Sequence, residues 1–274
     1  MKYLRLTIST TLLSIIVLAA ILLFSNQNSH AISLKQLLIN AHVPEIKFNV
    51  IGHYPHNENN FTEGIQLDNN YYYESSGLYR QSKVQKIELK TAKISQEYKL
   101  PSQYFGEGLT ILNDKIYQLT YNEKVGFIYD KNSLTLLRTF PVNGQGWGLT
   151  NDGQHLIMSN GSSKLNFINL QSFKIDRSIT VSVSGTQVGL LNELEYVHGK
   201  IFANVWMSTI ILMISPDNGS VLGWLDIASL QPRMRCTSRE CVANGILYDD
   251  RSNTMYVTGK YWPVIHHIRL LDVI

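Results

Sequence analysis

The feature that constrains this chain most is a strand-opening pattern that recurs five times at nearly even spacing. Each copy starts a short apolar strand, passes a turn rich in Asn, Asp or Gly, and enters a second strand. The openings are Glu63-Gly64-Ile65, Glu107-Gly108-Leu109, Trp147-Gly148-Leu149, Glu193-Leu194-Glu195 and Asn244-Gly245-Ile246. They lie 44, 40, 46 and 51 residues apart, which is the period of a four-stranded propeller blade.

The remainder of each copy supplies further strands, such as Ile116-Tyr117-Gln118 as a second strand and residues 210–214 as a third. We therefore predict an all-β fold, a five-bladed β-propeller that forms a single domain over residues 32–274. A pair of β-sandwiches would also use short strands, but it would not produce five matched openings. Only residues 33–43, which Pro44 follows, have the pattern of a short helix.

The first 31 residues have the composition of an export signal. Two bases, Lys2 and Arg5, precede an apolar run over residues 12–24. That run is shorter than the roughly 20 residues of a membrane span but suits a signal peptide. Ser29-His30-Ala31 provides a small-x-small cleavage site. We predict a signal peptide or signal anchor over residues 1–31 and a secreted or periplasmic protein, held at the membrane if the leader is retained.

Cysteine and charge counts limit the remaining classes of function. Cys236 and Cys241 are the only two cysteines, and outside the cytoplasm we predict that they form a local disulfide. The net charge of +3 is small and no basic run stands out, so nucleic acid is not an expected partner. The eight His residues are dispersed. We predict no metal site and no cofactor, although a structural calcium ion would be compatible with the fold.

A propeller brings the five openings together, because the innermost strand of each blade lines the central channel. The predicted ring consists of Glu63, Glu107, Trp147, Glu193 and Asn244. The ends of the second strands add polar and aromatic residues at the same end, namely Glu74, Ser75, Tyr121, Ser159, Asn160, Asn204, Trp206, Lys260 and Trp262. Carboxylates, carboxamides and aromatic walls suit a small polar ligand. Crowded, desolvated carboxylates can also move protons near neutral pH. Alternatively, these residues could simply hydrogen-bond neighbouring blades.

Several sequence strings resemble the plant and bacterial glutamine cyclotransferase family, in order over roughly residues 45–270. They are Phe61-Thr62-Glu63-Gly64, residues 104–110, residues 146–153, residues 191–196, Ala203-Asn204-Val205-Trp206, Asn244-Gly245-Ile246 and residues 257–263. The resemblance implies a five-bladed propeller that acts on peptides or proteins with an N-terminal glutamine. The product would be N-terminal pyroglutamate, released with ammonia by a monomeric enzyme.

The resemblance also implies residue roles. Glu107 is the expected proton shuttle and catalytic residue. The other expected contacts bind the substrate: Glu63, Glu74 and Glu193 at the α-amine, Trp147 and Trp206 as walls, and Asn160, Asn192, Asn204 and Lys260 at the amide or oxyanion. The chain departs from the family pattern at Gln145 and Asn160, where acids are expected, and at Tyr121, where Trp is expected.

Two other functions fit a propeller with this composition. One is a metal-dependent hydrolase such as a lactonase, in which Glu63 and Asn244 would ligate calcium. The other is a non-catalytic propeller that binds peptides or sugars. Chelator-sensitive activity on lactones would indicate the first, and binding without turnover would indicate the second.

Overall fold

The computed structural model describes residues 34–232 and 238–271 of the chain. The predicted leader, the domain boundary at residue 32 and Cys236 lie outside these ranges, so the leader, the boundary and the disulfide stay predictions. A helix occupies residues 34–40, within the predicted segment. This described helix is too short to cross a membrane.

Strand β1 (Lys47–Pro55) precedes the first complete blade. Blade 1 contains β2 (Thr62–Asp68), β3 (Tyr71–Ser76), β4 (Lys83–Glu88) and β5 (Ile94–Lys99). Blade 2 contains β6 (Gly106–Leu112), β7 (Lys115–Thr120), β8 (Val125–Asp130) and β9 (Leu136–Pro141). Blade 3 contains β10 (Leu149–Asn151), β11 (His155–Met158), β12 (Lys164–Asn169) and β13 (Ile175–Thr180).

A small hairpin of β14 (Ser182–Val183) and β15 (Thr186–Gln187) follows blade 3. Blade 4 contains β16 (Leu191–Val197), β17 (Lys200–Val205), β18 (Ile210–Ile214) and β19 (Val221–Asp226). After a 3-10 turn at Ala228–Leu230 come β20 (Ala243–Asp249), β21 (Thr254–Gly259) and β22 (Val264–Leu271).

The five sheets confirm the predicted five-bladed propeller. In blades 1 to 4 the strands pair antiparallel in sequence order, whereas the fifth sheet has the order β1-β22-β21-β20. The N-terminal strand β1 is therefore the outer strand of blade 5, with Lys47 opposite Leu271 in the register. This closure between the two ends of the chain was not foreseen from the repeat, which gave no sign that a strand before the first opening would complete the last blade.

Apolar clusters between adjacent blades form the core. One cluster joins blades 3 and 4 to Leu34 and Leu38 of the helix, and it includes Phe167 and Trp224. The indole Nε1 of Trp224 donates a hydrogen bond to the Val43 carbonyl at 3.1 Å, so the chain after the helix is fixed to blade 4. Alternate residues of the second and third strands, such as Ile201, Ala203 and Val205 in β17, contribute to this cluster, as expected for side chains that alternate between the two faces of a sheet.

The inner strands are interrupted at the openings. The pairing register shifts between Thr62 and Gly64 in β2 and between Gly106 and Leu109 in β6. The same irregularity occurs in β16 and β20. A β-bulge changes the direction of the side chains beside it, which is why bulges are common next to active sites. The bulges in β2 and β6 include Glu63 and Glu107.

Candidate active site

A cavity of about 470 Å³ opens at the end of the channel where the inner strands begin. This volume lies in the range of small-molecule sites, about 300–1,000 Å³. The lining combines acids, one cation, an amide and aromatic rings: Phe61, Glu63, Leu78, Phe105, Glu107, Tyr121, Trp147, Asn192, Trp206, Glu240, Lys260 and Tyr261. All five blades, or the loops that connect them, contribute to it.

Two carboxyl groups lie together at the base of the cavity. Glu63 is 2% exposed and Glu107 is 6% exposed. Lys260 Nζ donates to Glu63 Oε1 at 2.7 Å, and Asn244 Nδ2 donates to Glu63 Oε2 at 3.3 Å. The Glu107 and Glu63 carboxyl groups are close enough to interact, and such a pair can form a hydrogen bond when one of the two carries a proton.

Electrostatics place that proton on Glu107. Burial and the neighbouring Glu63 carboxylate hold the pKa of Glu107 well above its usual range. Burial also raises the pKa of Glu63, but the Lys260 ammonium opposes this rise. The resting pair is therefore a neutral Glu107 carboxylic acid that donates to an ionised Glu63, whose charge Lys260 compensates.

Two walls of aromatic rings enclose the pair. Trp147 and Trp206 meet edge to face with ring centroids 5.7 Å apart. On the other side, Phe61 lies 6.0 Å from Phe105 and 5.3 Å from Tyr261. Such walls exclude water and restrict the shapes that a flexible ligand can adopt.

An unused donor and an unused acceptor also belong to the cavity lining. The indole Nε1 of Trp147 and the amide Oδ1 of Asn192 are buried and have no hydrogen-bond partner among residues 34–232 and 238–271. Buried polar atoms are ordinarily paired. A carboxamide offers a carbonyl oxygen to such a donor and an N–H group to such an acceptor.

Backbone contacts between blades hold Trp147 in place. The Trp147 carbonyl accepts a hydrogen bond from the Gly108 N–H at 2.7 Å, and the Trp147 N–H donates to the Ser159 carbonyl at 3.1 Å. Ser159 Oγ accepts from the Gly148 N–H and donates to the Asn192 carbonyl, both at 2.7 Å. Ser159, predicted in the second ring, thus supports the cavity from behind.

The structure brings six of the ten predicted site residues into the cavity lining: Glu63, Glu107, Trp147, Asn192, Trp206 and Lys260. Glu74 lies elsewhere and is fully buried. It accepts hydrogen bonds from His56, Asn60 and Thr62. Burial alone would raise the pKa of Glu74, but His56 and these hydrogen bonds keep it below its usual value. We therefore assign Glu74 to the framework and not to the α-amine.

Asn160, Asn204 and Glu193 also lie outside the lining. Asn160 Oδ1 accepts from the Ser162 hydroxyl and N–H in its own turn. Asn204 Oδ1 accepts from the Gly245 N–H at 2.9 Å. Glu193 Oε2 accepts from the Ile246 N–H at 2.8 Å. Asn204 and Glu193 thus join blades 4 and 5, which is the alternative role of a hydrogen bond between neighbouring blades. Asn160 stabilises its own turn.

Sequence reasoning missed several lining residues. Phe61 and Phe105 precede Glu63 and Glu107 by two residues, and that period-2 spacing of an aromatic and an acid in two blades was a usable signal. Three other lining residues lie in loops outside the described strands, where the two-residue alternation of a strand gives no guide: Leu78, Glu240 and Tyr261. Tyr121 lines the cavity, whereas Gln145 is exposed and donates to Asn122 at 2.9 Å.

Glu193 and Glu195 form a second buried acid pair, between blades 4 and 5. Burial holds the pKa of each well above its usual range, and for Glu193 the Glu195 charge adds to the rise. Within the described residues, no group of three or more His, Cys, Asp or Glu side chains is placed to hold a metal ion.

We expect Glu195→Gln to reduce the amount of stability that the protein loses as pH rises from 5 to 8. A raised folded pKa means that the native state holds more protons than the unfolded state, so stability falls as pH rises from about 4.3 through the folded pKa. Glutamine cannot ionise, so the difference in free energy of unfolding between pH 5 and pH 8, measured in urea, should shrink. An unchanged difference would contradict the assignment.

The chain is similar to known proteins in both sequence and structure. The family model described as glutamine cyclotransferase matches residues 15–270. This chain belongs to the glutamine cyclotransferase family. A glutaminyl-peptide cyclotransferase of Arabidopsis thaliana is 37% identical over 225 residues, which cover 81% of this chain and 70% of that protein. The crystal structure of a glutaminyl cyclase from Myxococcus xanthus superposes with a TM-score of 0.78 at 33% identity, covering 84% of this chain and 99% of the other.

Proposed function

We propose that this chain is a glutaminyl-peptide cyclotransferase, an acyltransferase that converts the N-terminal glutamine of peptides or proteins to pyroglutamate and releases ammonia. Family membership supports the activity. The observation that carries the chemistry is the buried pair of Glu107 and Glu63, enclosed in a cavity whose unpartnered donor and acceptor match a carboxamide.

The reaction forms one bond and breaks one bond. The neutral α-amine nitrogen attacks the side-chain amide carbon, and a tetrahedral intermediate with an oxyanion forms. The attacking nitrogen loses one proton, the leaving nitrogen gains one, and the carbon–nitrogen bond to ammonia breaks. The chemistry therefore needs one group that accepts a proton and one that donates it, within reach of both nitrogens.

The carboxyl pair meets both requirements, because it holds one proton between two groups. Glu107 donates its proton to the leaving nitrogen, and the carboxylate that this produces accepts the proton of the attacking amine. Burial and the Glu63 carboxylate, which Lys260 holds at 2.7 Å, raise the pKa of Glu107 well above its usual range and so favour its protonated form. The net result leaves the pair as it began.

The unpartnered polar atoms orient the amide. Trp147 Nε1 donates to the amide oxygen and stabilises the oxyanion as its charge develops. Asn192 Oδ1 accepts from the amide N–H₂ group and so selects a carboxamide over a carboxylate. The rings of Trp206 and Phe105 fold the substrate side chain toward its own amine, which supplies the near-attack geometry.

A metal-dependent hydrolase fits this site poorly. The two Glu63 oxygens that a calcium ion would need accept hydrogen bonds from Lys260 and Asn244 instead. A cation beside the Lys260 ammonium would also meet a repulsive charge. We propose catalysis by the side chains of the cavity without a cofactor.

The N-terminal apolar run supports export, and the small interval between Cys236 and Cys241 supports a disulfide in an oxidising compartment. We therefore propose a secreted, periplasmic or membrane-anchored protein. The low net charge and the lack of a basic run give no reason to expect a nucleic-acid partner. We propose a monomer that acts on peptide N-termini.

Ammonia release from glutaminyl-alanine amide tests the proposed function. We expect one ammonia per pyroglutamate formed and unchanged rates after EDTA treatment. Asparaginyl-alanine amide is the matched control, because its shorter side chain would have to close a strained four-membered ring. Absence of ammonia from the glutaminyl peptide, with the fold intact by circular dichroism, would overturn the proposal.

A further inference from the structure

A second cavity of about 310 Å³ lies on blade 1 and is strongly basic. Its lining contains three cations and one acid among polar neighbours: Arg80, Gln81, Ser82, Lys83, Glu97 and Lys99. The acid is already occupied, because Glu97 Oε2 accepts from Gln85 at 2.7 Å and Glu97 Oε1 lies 3.7 Å from Lys99. Among the described residues, no ion pair involves Arg80 or Lys83. We call this cavity the basic groove.

The groove lies on the same face as the active site. Strands β2 and β4 begin at this end of the propeller, and β3 and β5 end there, because the strands of a blade run antiparallel. Lys83 opens β4 and Lys99 closes β5. The groove is therefore the outer part of the face whose inner part holds Glu63.

The two cavities are also close. Ser76 lies opposite Lys83 in the register, and Ser76 Oγ accepts a hydrogen bond from the N–H of Phe61, whose side chain lines the active site. Adjacent strands are about 4.8 Å apart. The segment between the cavities is equally short, since Leu78 lines one cavity and Arg80 lines the other. An extended peptide rises about 3.3 Å per residue, so two to four residues cover roughly 7–13 Å, which corresponds to about two to three strand spacings.

The positive charge of the groove is costly in the empty protein. Lys83 and Lys99 are directly opposite each other in the β4–β5 register, and like charges at such positions destabilise a sheet. Arg80 adds a third cation from a residue with φ +68°, a conformation that non-glycine residues seldom adopt. Its segment is fixed, because the Arg80 N–H donates to the Ser102 carbonyl at 3.2 Å and the Gln81 N–H donates to the Leu78 carbonyl at 3.1 Å. An anionic ligand would relieve this repulsion.

We propose that the basic groove binds acidic side chains located two to four residues after the N-terminal glutamine, so that acidic peptides are the preferred substrate class. The inference rests on the proposed cyclotransferase function, since it takes the cavity as the position of the N-terminal residue. Arg80 and Lys83 supply the unpaired charge, and Lys99 contributes after its partial neutralisation by Glu97.

Two amidated peptides test this proposal: Gln-Ala-Glu-Glu-Ala-amide and its neutral counterpart Gln-Ala-Gln-Gln-Ala-amide. An exposed ion pair raises affinity by only about 1.4- to 5-fold, because water and salt screen the charges. We therefore expect roughly fivefold higher kcat/KM for the acidic peptide at low salt, through a lower KM. The preference should fall in 0.5 M salt because exposed charges are screened. Arg80→Gln combined with Lys83→Gln should abolish the preference and leave turnover of the neutral peptide unchanged.

Lys90→Gln combined with Lys115→Gln is the matched control, because it removes two exposed lysines at the opposite end of the strands. This variant should keep the preference. Equal kcat/KM for the two peptides in the wild type, or a preference that survives in the Arg80/Lys83 variant, would overturn the proposal. If neither peptide is converted, the cyclotransferase function fails instead. In that case, the affinities of the two peptides, measured by calorimetry, test the basic groove separately. Equal affinities for the acidic and the neutral peptide would refute binding of acidic side chains by the groove.

Discussion

Replacing Glu107 with glutamine should lower kcat about a thousandfold while KM stays within a few-fold of the wild-type value. General acid–base groups contribute about 10²–10⁴-fold to rate. Glutamine has nearly the same shape and can still donate a hydrogen bond to Glu63, so the cavity is retained. It cannot transfer a proton to the leaving nitrogen. Initial rates of ammonia release from a glutaminyl dipeptide measure the effect.

Glu195→Gln provides the matched control, because it also replaces a buried carboxyl group with a carboxamide but lies outside the cavity lining. It should leave kcat within about twofold of the wild type. Activity of Glu107→Gln near the wild-type level would remove Glu107 from the mechanism. A similar loss in both variants would indicate a general effect of altering buried acids.

The pH profile distinguishes an acid from a positioning group. Glu107 must be protonated to donate, so activity is present below its pKa and is lost as pH rises through it. Because burial and Glu63 hold that pKa well above the usual range, this limb lies on the alkaline side of the pKa of an ordinary glutamate. The residual activity of Glu107→Gln should lack this limb.

Replacing Gly148 with alanine should destabilise the protein by about 3 kcal/mol or more. A Cβ atom at position 148 would lie 1.9 Å from the carbonyl oxygen of Asn192 and 2.8 Å from the Cα of Glu193. These are backbone atoms of the next blade, so neither can rotate away, and overpacking of this kind costs about 1–3 kcal/mol or more. The melting temperature should fall by about 10 °C.

Gly189→Ala is the matched control on the neighbouring seam. Its nearest heavy atoms would lie 3.8 Å from the new Cβ, which is ordinary contact, so its stability should change by less than about 1 kcal/mol. Urea unfolding of both variants provides the comparison. Insolubility of Gly148→Ala alone agrees with the expected clash, whereas wild-type stability of that variant would contradict it.

The five-fold period made the architecture predictable because each blade repeats the same strand and turn chemistry. It also placed Glu63, Glu107 and Trp147 together, since equivalent positions of successive blades must meet at the channel. Gly64 and Gly108 belong to the same signal. A Cβ at either position would lie within 2.5 Å of a backbone nitrogen in the next blade, so close packing around the axis explains the glycines that follow Glu63 and Glu107.

The alignment of the repeat was one residue off in blade 4, where Asn192 lines the cavity and the aligned Glu193 does not. The bulge between Leu191 and Leu194 has the same form as the bulge between Gly106 and Leu109, so Asn192 is the structural equivalent of Glu107. A shift of one residue exchanges the faces of a strand, which is why Glu193 lies outside the lining. Glu74 was misplaced for another reason. Its partners His56 and Asn60 lie before the first blade, outside the repeat, and no period could indicate them.

Closure of the ring between β1 and β22 has a consequence for the order of events during synthesis. The first strand to be made pairs with the last, so nearly the entire chain must be available before that seam can form, and such long-range pairing is intrinsically slow. The Lys260–Glu63 contact joins blade 5 to blade 1, between residues 197 positions apart, so it also needs the last blade. Completion of the propeller and assembly of the candidate catalytic centre both wait for the last blade, so a partly synthesised chain lacks the intact site.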